Sequence, residues 1–132
     1  MQKEIENINK YLWEKHGSPD LMSNIPIFNP VTIEKICEDA GSPNIFKDVL
    51  TIMEVPGQSN DVRKKNKNRA INIINTMMFG QSQKCSWYQH IQASFLRQHG
   101  LSDTGLTALW QEGVSVHPRT ARLMSISINE SY

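Results

Sequence analysis

No stretch of this chain stays apolar for the roughly 20 residues that a membrane span requires. The opening Met1-Gln2-Lys3-Glu4-Ile5-Glu6 is too polar and acidic for a secretory signal or transit peptide. Cysteine is scarce: Cys37 and Cys85 are too few for a disulfide framework and do not form a C-x-x-C pair. Nothing therefore argues for an oxidising compartment, and the expected location is intracellular. There is no glycine-rich phosphate loop. The histidines, His16, His90, His99 and His117, are scattered, and no four-ligand zinc spacing can be assembled from them and the cysteines. Paired carboxylates occur only as Glu38-Asp39, which point apart on a helix. These gaps leave no cofactor, no metal and no catalytic residue to name. The expectation is a protein that is not an enzyme, with Cys85 and His90 as a remote sketch of a hydrolase-type site.

What is present is helical periodicity and an uneven charge. With 132 residues the chain has enough length for one modest core. Its net charge of +1 conceals two unlike halves. Residues 1–60 carry nine acids against five lysines, and residues 61–132 carry nine basic residues against four acids. The division expected is an acidic helical N-terminal half (1–60), a packed arm or part of the bundle, and a basic-headed bundle (61–132). An acidic face packing near a basic one would explain the asymmetry; so would a second half that faces a polyanion.

Along the chain, Ile5, Ile8 and Leu12 predict a helix over 4–16 that Gly17 stops. Residues 21–30 hold Pro26 and Pro30 and read as an extended connector, its Ile25, Ile27 and Phe28 docking on the core or reaching for a partner. Thr32 to Ala40 reads as a second helix, with Ile33, Ile36 and Cys37 on one face. Ser42 offers a cap and Pro43 a first position for a third, carrying Ile45, Phe46, Val49, Leu50 and Met53. Residues 58–61 are polar and mark a boundary. Ala70, Ile73, Ile74, Met77 and Met78 then follow helical spacing in a broad apolar stripe, the expected centre of a bundle. The next helix directs Trp87, Tyr88, Ile91, Phe95 and Leu96 inward, and shows Gln89, Gln92, Arg97 and Gln98 to solvent. Ile73, Ile74, Met77, Met78, Ile91, Phe95 and Leu109 are the expected core. The fold class is all-α, a small bundle of five or six helices with the proline-containing connector near 21–30.

Two features bear on function. Arg63, Lys64, Lys65, Lys67 and Arg69 place five cations in seven residues, enough to neutralise several phosphates and similar to a nuclear localisation patch. Because cations at a helix N-terminus oppose the macrodipole, these residues are expected to lie outside the regular helix or to serve a partner. Further on, a helix with Leu106, Leu109 and Trp110 stops at Gly113. Val114-Ser115-Val116 follows, and Pro118 opens a last helix bearing Ala121, Leu123, Met124 and Ile126. This has the look of a helix-turn-helix. Arg119 and Arg122 fall at positions usually buried in that motif, so an ordinary antiparallel helix pair is the competing reading.

The run from Ala70 to Lys84, apolar and ending Gln81-Ser82-Gln83-Lys84, resembles a segment of large transposon-derived open reading frames of fungi and some animals. The continuation is similar too: Tyr88-Gln89-His90-Ile91, Phe95-Leu96, Gly100, Leu109-Trp110-Gln111-Glu112-Gly113, then Val114-Ser115-Val116. The likeness covers about residues 62–128, and His117-Pro118 stands where many relatives have Ser-Tyr. It implies a fragment or degenerate copy of the N-terminal region of such a protein, lying before a domain of unknown function and without a catalytic core of its own. The expected function is a non-enzymatic interaction module whose partner is another protein or the rest of its parent. The alternative is a weak DNA-binding domain using the basic cluster with Arg119 and Arg122.

Overall fold

The computed structural model describes residues 1–21 and 24–120. It is all-helical, with no strand among the described residues. Six helices follow in order: α1 (Gln2–His16), α2 (Pro30–Asp39), α3 (Ile45–Met53), α4 (Asn60–Gln81), α5 (Trp87–Gln98) and α6 (Asp103–Gln111). The chain is helical again over 118–120, where the described residues end.

α1 buries Ile5, Ile8 and Leu12 along one stripe, and its last turn closes when the Gly17 N–H donates to the Trp13 carbonyl at 3.0 Å. The connector docks as expected. Ile25 and Phe28 pack against the core, and the Phe28 ring meets Tyr88 edge-on at 5.8 Å. Its Ile27 stays exposed.

Two helix starts differ from the sequence reading. α2 begins at Pro30 rather than Thr32, because Asn29 makes a capping box: its Oδ1 accepts from the Thr32 N–H at 2.9 Å, and its own N–H donates to Thr32 Oγ1 at 2.8 Å. Pro30 then occupies a first position where its missing N–H costs nothing. α3 begins at Ile45 after Asn44, and Ser42 does not cap it. The Ser42 hydroxyl instead donates to the Glu4 carbonyl at 3.2 Å, tying the α2–α3 corner to α1.

α4 is the longest element at 22 residues, roughly 33 Å of helix. It runs through the middle of the main core, which joins Ile5, Ile8, Leu12, Ile33, Phe46 and Val49 to Ala70, Ile71, Ile74, Met78 and Trp87. This cluster draws on residues from both sides of position 60. Ala93, Leu106 and Val116 form a second, smaller cluster, with Leu96 and Leu101 packed against it.

The expected core needs correction at two positions. Ile74 and Met78 are fully buried, but Ile73 is 40% exposed and Phe95 is 54% exposed. The stripe that α4 turns inward is Ala70, Ile71, Ile74, Asn75 and Met78, and Ile73 lies at its edge. On α5 the inward positions are Trp87, Gln89, His90, Ala93 and Ser94. Phe95 lies one position past that set, and its ring packs on His99 at 4.2 Å instead. Met77, Ile91 and Leu109 are half-buried.

Candidate interaction surface

The basic cluster sits inside regular helix, which removes the first of the two expectations for it. Ser59 makes this possible: its Oγ accepts from the Val62 N–H at 3.2 Å and caps α4 ahead of the cations. Asp61 adds a favourable charge in the first turn and pairs with Lys65 at 3.1 Å. Together these offset the penalty of cations near the positive end of the helix dipole. Arg63, Lys64, Lys65, Lys67 and Arg69 are all exposed.

Their directions differ. At 100° per residue, Arg63 and Lys67 project within about 40° of each other, and Lys65 and Arg69 point to the far side, about 200° and 240° round from Arg63. The far pair is engaged within the helix: Lys65 with Asp61, and Arg69 through a 2.9 Å hydrogen bond from Nη1 to Asn66 Oδ1. Arg63, Lys64 and Lys67 take part in no ion pair among the described residues. Arg63 and Lys67 line a groove of about 310 Å³ between α3 and α4, together with Leu50, Glu54, Asn60 and Asn66.

Of the other two expected site residues, Arg119 is not gathered with this cluster. Arg119 is exposed on the helical turn at 118–120, and its N–H donates to His117 Nδ1 at 3.2 Å. Arg122 lies outside the described residues, as do Ala121, Leu123, Met124 and Ile126. The approach to Arg119 leaves α6 at Gly113, whose φ of +77° is the left-handed region that favours glycine. A Cβ there would come within 3.9 Å of Thr76 and Phe79, so this corner rests on the end of α4 opposite the basic turns.

Cys85 and His90 are both buried, and each has its own neighbour. Burial pushes the Cys85 thiol pKa up, opposed by a hydrogen bond with Ser82 and the charge of Lys84. Burial pushes the His90 pKa down, opposed by its bond to the Ser86 backbone and by Asp20. His90 Nδ1 lies 2.8 Å from the Ser86 carbonyl, which can only accept, so Nδ1 carries the proton. A thiol pushed toward its protonated form and an imidazole pushed toward its neutral form are the reverse of an activated thiolate pair. Cys37 is buried as well, its thiol pushed up to about 11 by desolvation. Among the described residues no group of three or more His, Cys, Asp or Glu gathers as a metal would require. No helix among them is long and apolar enough to cross a membrane.

A set of buried amides went unread in the sequence. Gln89, placed there on the polar side of its helix, is 1% exposed and donates to the carbonyls of Asn75 and Gly113, each at 3.2 Å. It joins α4 to the corner after α6. Asn9 donates to the Met78 carbonyl at 3.0 Å, joining α1 to the end of α4. The only sequence signal for either was its spacing from apolar neighbours, as Asn9 follows Ile8 and Gln89 falls two residues after Trp87.

Comparison with protein-family models, with curated proteins and with solved structures returned no match.

Proposed function

We propose that the chain is a non-enzymatic helical interaction module, part of a transposon-derived protein, which holds another segment of its parent polypeptide or a nuclear partner. One observation carries this reading: the first turns of α4 present free cations on a helix that the core anchors further along. A surface of that kind is rigid and charged, and suited to recognition. The groups that would have to react, Cys85 and His90, are enclosed instead. The test is co-purification of the full chain with the polypeptide encoded by the adjoining reading frame. A stoichiometric complex is expected. No complex, together with ester or phosphoester hydrolysis that disappears in Cys85→Ser, overturns the reading.

A second reading, weak DNA binding, is favoured by the exposure of Arg119 and of all five α4 cations. Phosphate neutralisation on this scale gives non-specific dissociation constants of roughly 10⁻⁴ to 10⁻⁶ M, falling off steeply with salt. A low-salt gel shift that vanishes when Lys64, Lys65 and Lys67 become glutamine would support it. No shift at low salt removes it.

A further inference from the structure

Resting on the interaction-module reading, we infer that the groove between α3 and α4 is the docking seat for an acidic amphipathic helix. Two unpaired cations, Arg63 and Lys67, stand one turn apart along one wall, the separation of two carboxylates at i and i+4 on a partner helix. Leu50, half-buried, supplies an apolar floor, and Val55, the residue after Glu54, is 59% exposed. The groove's volume of about 310 Å³ is about twice the roughly 150 Å³ cavity that accepts a benzene ring, so it has room for one or two large apolar side chains.

Charge and polarity together select this occupant over a nucleic acid. A phosphate backbone has no use for the apolar surface of Leu50. It also gains most from cations ranged along one side, whereas Lys65 and Arg69 turn away and are held by Asp61 and Asn66. An acidic amphipathic helix uses what the groove offers. Its carboxylates meet Arg63 and Lys67, with Lys64 nearby on the same turns, and its apolar stripe lies on Leu50.

The experiment measures fluorescence anisotropy of a labelled synthetic helical peptide, with glutamates on one face and leucines on the other, against the full chain. Amide shifts in the ¹⁵N-labelled chain locate the contact. Binding is expected, with shifts at Leu50, Val55 and Arg63. R63Q/K67Q should weaken it by ~10-fold, the combined scale of two exposed charge pairs in the middle of their range. K10Q/K65Q, which changes net charge equally, should alter it by less than ~3-fold because neither side chain lines the groove. Equal losses in the two variants, or equal affinity for a peptide with its leucines replaced by serine, would show attraction to charge alone and overturn the seat. Tighter binding of a duplex DNA overturns it in favour of nucleic acid. Shifts confined to Phe95 and Trp110 overturn the groove and leave the module reading intact. If the peptide does not bind at all the groove is rejected, and the module reading then stands or falls by the co-purification.

Discussion

Ile73 and Ile74 are chain neighbours with opposite fates, and the contrast isolates what burial does. Ile74 is fully enclosed, whereas Ile73 is 40% exposed. Ile74→Ala should cost ~2–5 kcal/mol in urea denaturation, because it removes transfer energy and leaves a cavity in the main core. Ile73→Ala should cost about 1 kcal/mol or less. Equal losses would place the core stripe wrongly. Periodicity could name the stripe but not its edges. A helix apolar at Ala70, Ile71, Ile73, Ile74, Met77 and Met78 leaves the inward direction open by a residue either way, and only the neighbouring helices decide it. Polar core positions were less legible still. Gln89 reads as solvent-facing until Asn75 and Gly113 are known to be its partners. Gln89→Leu should cost ~1–3 kcal/mol by removing those two hydrogen bonds from a buried site, despite being more apolar. His90 sets a pH dependence at the same scale. Its folded pKa is depressed by burial below the ordinary imidazole value of about 6.5, so the unfolded chain takes up the proton first. Stability is therefore full above about pH 6.5 and lost as pH falls from there through the folded pKa. His16, also depressed by burial, adds to the same slope. Denaturation midpoints of His90→Gln across this range should fall less steeply with acid than those of the parent chain.

At the scale of the element, helix starts reveal how the sequence misleads. Pro30 suggested a break and marks the first residue of α2, because Asn29 and Thr32 form a capping box around it. Ser42-Pro43 suggested a start, but the Ser42 hydroxyl is taken by the carbonyl of Glu4, 38 residues away, and α3 begins two residues on from Pro43. The local signals were the same in kind at both sites, and a long-range hydrogen bond separates them. The candidate site was half legible for a related reason. Five cations are visible as composition, but which of them face α3 depends on the direction of α4 and on the Ser59 cap that extends it. That cap can be tested. Ser59→Ala should cost ~1 kcal/mol and fray the first turn of α4. Faster amide exchange at Val62 and Arg63, with Ile74 still protected, would show that the basic turns depend on the cap. Unchanged exchange at Val62 would mean that Ser59 does not hold the turn.

For the molecule as a whole, the charge boundary and the packing do not coincide. The sequence divides at position 60 by net charge, and that division marks the one feature of the surface that differs most between the two parts. Yet the ion pairs Met1–Glu4, Lys3–Glu6, Lys65–Asp61 and Arg97–Asp103 each fall on one side of the boundary. Exposed pairs of this kind contribute little to stability. What crosses the boundary is apolar burial: Ile5, Ile8 and Leu12 of α1, with Ile33, Phe46 and Val49, enclose Ile71, Ile74 and Met78 of α4. Three hydrogen bonds reinforce it: Asn9 to Met78, Gln81 to Gln2 and Trp87 to Gly17. Each of the two pieces would expose one side of that core to water, and neither has a substitute for the other. Residues 1–58 and 59–132 produced separately should therefore lose sigmoidal urea unfolding, and mixing them should restore at least part of it. The restored transition should be nearly insensitive to salt from 50 to 500 mM, because burial and not opposite charge brings the pieces together. A cooperative transition in either piece alone would make the charge boundary a true domain boundary, and loss of the mixed transition at high salt would return the association to electrostatics.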